Sequence, residues 1–126
     1  RDNARRMLPW NGDKQKSWIE NYAYRDQVNV CEDMQSAKSV YRFYQKLIAL
    51  RKKYPCFTKG EYRLIKNRGY YQFERRYQGE RYVVLINYES EKKSPHIDGE
   101  ILINNYESVG KFLKPYQLIV YKKSPR

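Results

Sequence analysis

The sequence predicts a mainly β fold, in which a long loop and one amphipathic α-helix precede an antiparallel β-sandwich of Greek-key type. Three observations lead to this prediction. Residues 1–33 carry turn signals but no sustained period, which indicates a long structured loop. Apolar residues then recur every three or four positions over residues 36–54, the period of one helix face. After Gly60 the period falls to two, and at least five short runs follow with turn residues between them.

Composition excludes several classes of protein. The 126 residues suit one domain of ordinary size, and their 16% aromatic content is too high for a disordered basic tail. No apolar run approaches the ~18–20 residues that a bilayer crossing requires, so we expect no membrane association. Cys31 and Cys56 are too few and too far apart for a disulfide framework and indicate free thiols in a reducing cytoplasm. His96 stands alone, so we expect no metal site and no cofactor.

The predicted helix over residues 36–54 has identifiable start and stop signals. Ser36 or Ser39 can cap its first N–H groups, and Pro55 disfavours helical geometry at Tyr54. Its apolar face comprises Val40, Phe43, Leu47, Ile48 and Leu50. Leaving five such side chains in water would forfeit about 7–15 kcal/mol. We therefore expect the sandwich, another copy of the chain or upstream polypeptide to cover this face.

Short alternating runs predict the strands. They span Glu61–Asn67, Tyr70–Tyr77, Arg81–Tyr88, Gly99–Asn104 and Tyr116–Lys122. Within the second run, Tyr71 and Phe73 share one face, and Gln78-Gly79 supplies the turn to the third. Residues 83–86 are apolar on both faces, which is typical of a central strand.

The residues alone support no catalytic assignment. A glycosidase needs two carboxyl groups that flank the scissile bond, whereas the acids here are scattered singly through loops and strand faces. The adjacent pair Glu32-Asp33 suits a helix entry, where negative charge favours the helix dipole. The acids of the first loop that could approach one another are Asp2, Asp13, Glu20 and Asp26.

Two binding functions remain open on composition. A net charge of +12 with 14 tyrosines is compatible with a basic nucleic-acid-binding domain. Only residues 31–60 are strongly basic, however, and a solvated helix face explains that equally well. The other candidate is a stand-alone carbohydrate-binding module that uses surface tyrosines, or Trp10 and Trp18, as stacking platforms.

Several segments resemble the α-glucosidases of glycoside hydrolase family 13. Residues 1–5 read R-D-N-A-R and are followed by Trp10, which is similar to the pattern R-D-N-A-R-T-P-M-Q-W of the oligo-1,6-glucosidase, dextran glucosidase and trehalose-6-phosphate hydrolase group. Residues 43–52 resemble that group's last barrel helix, and residues 99–106 and 113–117 resemble the end of its C-terminal β domain. The chain departs from the pattern at residues 6–9, which read R-M-L-P, and at Asn11, where an aspartate is common.

This resemblance implies the C-terminal portion of a larger retaining α-glucosidase. Residues 1–56 would be the last loop and last helix of its catalytic β/α barrel, and residues 57–126 its C-terminal antiparallel β-sandwich domain. The parent would hydrolyse α-glucosidic bonds of short oligosaccharides in carbohydrate metabolism. The family's catalytic acids lie upstream, so we expect no catalytic residue here and no activity from this chain alone. Arg5 matches a family arginine that binds the non-reducing-end glucose. The start at Arg1 rather than Met also suggests part of a longer protein.

Overall fold

A computed structural model describes residues 2–91 and 93–125, with side chains from residue 4 onwards. The chain forms two compact units, Arg1–Lys46 and Leu47–Arg126, which divide inside the second α-helix. A 3₁₀-helix, Asp2–Arg5, comes first. The helices are α1 (Val30–Gln35), α2 (Val40–Lys53) and α3 (Cys56–Lys59). The strands are β1 (Glu61–Lys66), β2 (Tyr71–Tyr77), β3 (Glu80–Ile86), β4 (Gly99–Asn104) and β5 (Leu118–Lys123).

The predicted long helix is present as α2. Its cap is Ser39 and not Ser36, because the Ser39 hydroxyl accepts the Arg42 N–H at 2.9 Å. The helix stops at Lys53, two residues before Pro55, with three cationic residues in its last turn. The structure contains two short helices, α1 and α3, in addition to the single helix that was predicted. The side chain of Asn29 caps α1, and Pro55 precedes the first residue of α3.

The five strands form one antiparallel sheet in the order β1-β2-β3-β5-β4. The β2–β3 hairpin turns through Gln78 and Gly79, which both adopt positive φ angles, 49° and 80°. Strand β3 lies in the centre, paired with β2 on one side and β5 on the other. Its residues Tyr82 to Leu85 are all buried, in agreement with a central strand that is apolar on both faces. The mainly β, antiparallel fold class is therefore confirmed.

Both faces of the sheet are covered in its central part. On one face the buried cluster comprises Val83, Leu85, Leu113, Ile119 and Tyr121. Tyr70, Ile97 and Val109 pack against this cluster. The second layer comes from the loops before and after β4, which a bridge between Lys93 and Leu113 joins. On the opposite face Tyr82 packs against Tyr54 and Phe57, with ring centroids 5.1 and 5.3 Å away.

Two fully buried amide side chains hold these loops in place. The Asn87 Nδ2 group donates to the carbonyls of Glu91 at 2.7 Å and Lys114 at 2.9 Å. Gln117 accepts the Lys114 N–H at 2.8 Å and donates to the Asn104 side chain, also at 2.8 Å. Because these polar groups are buried and bonded, they fix the loops at little desolvation cost.

The apolar face of α2 is not buried. No residue of the helix falls in the buried class, and Val40, Tyr44 and Ile48 are exposed. That the sandwich, another copy of the chain or upstream polypeptide covers this face remains a prediction. Across residues 2–91 and 93–125, no helix has both the length and the apolar character that crossing a bilayer would need.

Candidate functional site

Arg5 is the final residue of the 3₁₀-helix, and its side chain is exposed. The segment that follows it is paired with the start of α1. The Val30 N–H donates to the Pro9 carbonyl, and the Cys31 N–H donates to the Trp10 carbonyl, both at 2.9 Å. These bonds fix the path of the chain shortly after Arg5. Arg1, the first residue of the R-D-N-A-R stretch, lies outside the described residues.

Short-range polar bonds give the first loop its structure. The Asn11 side chain accepts the Asp13 N–H at 3.1 Å and donates to the Asp13 carboxylate at 3.0 Å. Asn21 closes a second turn, since its side chain accepts the Gln15 N–H at 3.0 Å and donates to the Gln15 carbonyl at 2.9 Å. The loop is therefore ordered by side-chain amides, in accordance with the structured loop that the sequence predicted.

An open groove of ≈ 850 Å³ lies within the unit Arg1–Lys46, and we call it the Leu8–Tyr44 groove. It is lined mainly by apolar and aromatic side chains, including Leu8, Pro9, Tyr22, Val28, Val40 and Tyr44. Two of its polar members are engaged within the chain, because Asn29 caps α1 and the Asp33 carboxylate accepts the Tyr41 N–H at 2.8 Å. Of the lining residues, the helical period in the sequence placed only Val40 and Tyr44 on a common face. It missed the groove because the lining residues lie far apart in the chain.

Two arginines of the unit Arg1–Lys46 each carry an unsatisfied donor. The Nε atoms of Arg6 and Arg25 are buried and have no hydrogen-bond partner. Arg25 adjoins the groove, since its Nη1 donates to the Tyr22 carbonyl at 3.4 Å and its own carbonyl accepts the Asn29 side chain at 2.8 Å. A buried guanidinium N–H without an acceptor is costly.

The acids of the first loop do not form a buried centre. The side chains of Asp13, Glu20 and Asp26 are exposed, and that of Asp2 is outside the described residues. Glu32 and Asp33 occupy the first turn of α1, where the sequence placed a helix-entry pair. In the described part of the chain, no group of three or more His, Cys, Asp or Glu residues is arranged to hold a metal ion.

The titratable groups of the sheet are paired with one another. The Tyr82 hydroxyl donates to Glu80 at 2.9 Å, and burial together with this bond raises the pKa of Tyr82 to about 12. Burial alone would raise the pKa of Asp98, but the Lys123 ammonium at 3.3 Å outweighs it and the net pKa is lowered. These pairs stabilise the sheet.

Two family models match successive parts of the chain. Residues 1–60 match a family model described as alpha amylase, catalytic domain, and residues 73–123 match one described as beta-galactosidase C-terminal domain. Part of a glycoside hydrolase catalytic domain is therefore followed by a β-domain of the kind that ends such enzymes.

The individual relatives show which kind of glycoside hydrolase the chain is similar to. The chain is 29% identical to the oligo-1,6-glucosidase of Heyndrickxia coagulans, over 96% of this chain and 24% of that enzyme. It is 30% identical to the oligo-1,6-glucosidase of Parageobacillus thermoglucosidasius, over 97% of this chain and 25% of that enzyme. Both alignments extend through nearly the whole chain.

Solved structures agree with the sequence matches. The trehalulose synthase of Pseudomonas mesoacidophila superposes with a TM-score of 0.82 at 29% identity, over 96% of this chain and 25% of that one. A variant of Bacillus licheniformis trehalose-6-phosphate hydrolase gives a TM-score of 0.82 at 28% identity, over 96% of this chain and 26% of that one. The chain belongs to the α-glucosidases of glycoside hydrolase family 13 and corresponds to their C-terminal portion. It spans about a quarter of the length of the curated relatives it matches.

Proposed function

We propose that this chain is the structural C-terminal portion of an oligo-1,6-glucosidase-like enzyme that hydrolyses α-glucosidic bonds of short oligosaccharides. The observation that carries the proposal is the similarity to oligo-1,6-glucosidases over 96–97% of the chain. Residues 1–56 would complete the catalytic barrel of the same parent chain, and residues 57–126 would form its C-terminal β domain. The catalytic acids would come from the upstream barrel, so this chain alone would be inactive.

We assign Arg5 to glucose binding in the assembled enzyme. Its exposed guanidinium presents forked donors that suit sugar hydroxyls and a neighbouring carboxylate. The two cysteines are free thiols, which favours a cytoplasmic location. Neither alternative function, a stand-alone carbohydrate-binding module or a nucleic-acid-binding domain, draws support from the relatives.

A chimera tests the proposal. The C-terminal quarter of the Heyndrickxia coagulans enzyme is replaced with this chain, and hydrolysis of isomaltose and of a nitrophenyl α-glucoside is measured. We expect turnover by the chimera and none by the purified 126-residue chain. A folded chimera without activity, or clear turnover by the chain alone, would overturn the proposal.

The role of Arg5 is tested in the same chimera. Arg5→Ala should lower kcat/KM by about 10- to 100-fold, the equivalent of one or two hydrogen bonds to a charged group. Arg5→Lys should recover only part of this loss because it keeps the charge and loses the planar fork. Lys16→Ala, which removes an exposed cation from the same loop, is the control and should leave kcat/KM unchanged. Equal effects of Arg5→Ala and Lys16→Ala would contradict the assignment.

A further inference from the structure

We propose that Asn11-Gly12 is a site of spontaneous covalent modification, at which the asparagine converts to isoaspartate and aspartate and loosens the pairing of the first loop with α1. The inference concerns the chemistry of the chain itself and does not depend on the proposed function. Every residue that takes part lies in the unit Arg1–Lys46.

Asn11 is the one asparagine in the sequence that a glycine follows. Asparagine is among the chemically labile residues, because the backbone nitrogen of the next residue can attack its side-chain carbonyl carbon. A Cβ on that next residue restricts the backbone and crowds the attack, whereas glycine does neither. All other asparagines of the chain precede residues that carry a Cβ.

The structure leaves both reacting groups accessible. Asn11 and Gly12 are exposed, and the Gly12 N–H makes no hydrogen bond within residues 2–91 and 93–125. The Asn11 Oδ1 atom accepts the Asp13 N–H at 3.1 Å. This bond polarises the side-chain carbonyl and would stabilise the negative charge that develops on Oδ1 during attack. The loop therefore presents an unengaged nucleophile next to a polarised amide.

The reaction needs only water as a co-reactant. The Gly12 nitrogen bonds to the Asn11 Cγ atom and gives up its proton, the Cγ–Nδ2 bond breaks, and Nδ2 leaves with that proton as ammonia. The product is a cyclic succinimide between residues 11 and 12. Water then opens either of its two carbonyl–nitrogen bonds. One opening gives aspartate, and the other gives isoaspartate, in which the former side-chain carbons carry the backbone.

Isoaspartate would disturb the loop where it is tied to α1. It adds one backbone carbon atom in residue 11, next to Trp10, whose carbonyl accepts the Cys31 N–H at 2.9 Å. The bond that the Asn11 Nδ2 atom donates to the Asp13 carboxylate at 3.0 Å is also lost. Because hydrogen bonds depend steeply on distance and angle, the extra atom weakens the Trp10–Cys31 bond. Aspartate keeps the normal backbone and spares this bond.

Asp98-Gly99 serves as an internal control, since aspartate before glycine can form the same succinimide with loss of water. The Asp98 carboxylate lies 3.3 Å from the Lys123 ammonium and accepts the Tyr121 hydroxyl at 3.4 Å. Gly99 is the first residue of β4 and pairs with Lys123 of β5. A glycine fixed in a sheet cannot reach the preceding side chain, so we expect no isoaspartate at residue 98 in the folded chain.

Peptide mapping tests the modification. The 126-residue chain is incubated at neutral and at mildly alkaline pH, digested and examined by mass spectrometry. We expect the peptide with Asn11 to gain about one mass unit, before any other asparagine peptide, and to split into aspartate and isoaspartate forms. Gly12→Ala is the matched variant, because a Cβ there lies 3.4 Å from the Asp26 Cα atom, an ordinary contact. It should slow the conversion by about tenfold or more, since a tenfold change in rate is about 1.4 kcal/mol of barrier.

Tryptophan fluorescence tests the loosening, since Trp10 and Trp18 both lie in the unit Arg1–Lys46. The isoaspartate form is separated by ion exchange, and its thermal unfolding is compared with that of the unmodified chain and of Asn11→Asp. We expect isoaspartate to lower the unfolding midpoint by about 4–8 °C, the shift for the loss of one hydrogen bond. Asn11→Asp, which has the new charge but the normal backbone, should lower it by less.

Three results would overturn the proposal. The first is an Asn11 that stays unmodified in the chain while a synthetic peptide of residues 7–14 converts. The second is an equal rate of conversion in Gly12→Ala and in the unchanged chain. The third is an isoaspartate form that unfolds at the same midpoint as Asn11→Asp, which would refute the loosening of the pairing with α1. None of these measurements uses enzymatic activity, so each is independent of the chimera.

Discussion

Tyr82 provides the sharpest test of how the β-unit is stabilised. Its side chain is fully buried and packs against the rings of Tyr54 and Phe57. Its hydroxyl donates to the Glu80 carboxylate at 2.9 Å. Two substitutions separate these contributions, because Tyr82→Phe removes only the hydroxyl whereas Tyr82→Ala also removes the ring.

The structure sets the expected magnitudes. The bond to Glu80 involves a charged but partly exposed acceptor, so Tyr82→Phe should lower the free energy of unfolding by about 1–2 kcal/mol. Tyr82→Ala leaves a cavity and deletes two aromatic contacts, which should cost about 3–5 kcal/mol. For a unit of this size, each kcal/mol corresponds to a fall in Tm of roughly 4–8 °C.

Urea unfolding followed by near-ultraviolet circular dichroism of tyrosine is the appropriate assay. Trp10 and Trp18 both lie in the other unit, so tryptophan fluorescence would not report on the sheet. Tyr62→Phe is the control, because its hydroxyl lies 2.6 Å from that of Tyr71 but the residue is 47% exposed and water can replace the bond. A loss for Tyr82→Phe no larger than that for Tyr62→Phe would refute the reasoning.

Three further predictions address other elements. Gly99→Ala should destabilise the β-unit by about 1–3 kcal/mol in urea, since a Cβ there would lie 2.0 Å from a backbone oxygen of β5, whereas Gly110→Ala should change it by less than about 0.5 kcal/mol. Asn29→Ala should cost about 1 kcal/mol by removing the cap of α1, measured by helical circular dichroism. Burial raises the pKa of Tyr82 to about 12 and also raises that of Tyr121, so both should ionise last in an alkaline absorbance titration.

The sign of the alkaline effect follows from linkage. A raised pKa in the folded state means that folding favours the neutral phenol. The stabilisation is therefore complete below the unfolded pKa of 10.0 and is lost as the pH rises through the folded value of about 12 for Tyr82. All phenolates appearing together near pH 10 would contradict the burial of these two side chains. Equal stabilities of Gly99→Ala and Gly110→Ala would contradict the close packing of β4 on β5. If Asn29→Ala left the helical circular dichroism and the stability unchanged, that result would contradict the capping role of Asn29.

The elements that the sequence determined are those whose signal is local. The helix α2 follows from a 3.6-residue period that Pro55 terminates. The sequence offered Ser36 or Ser39 as its cap, and the structure shows that Ser39 caps it. Strand β3 follows from an apolar run that only a central strand can bury on both faces. Family membership follows from the R-D-N-A-R stretch together with the later segments, because each spans consecutive residues.

Tertiary structure decided what depends on contacts between distant residues. Strand β5 pairs between β3 and β4, an order that no alternation in sequence specifies, because pairing partners are chosen by the packing of the whole sheet. The helices α1 and α3 have six and four residues and are too short to show a period, so their caps and surroundings determine them. The Leu8–Tyr44 groove arises only when segments tens of residues apart meet. Local patterns thus define which elements form, and non-local packing defines which surfaces they leave open.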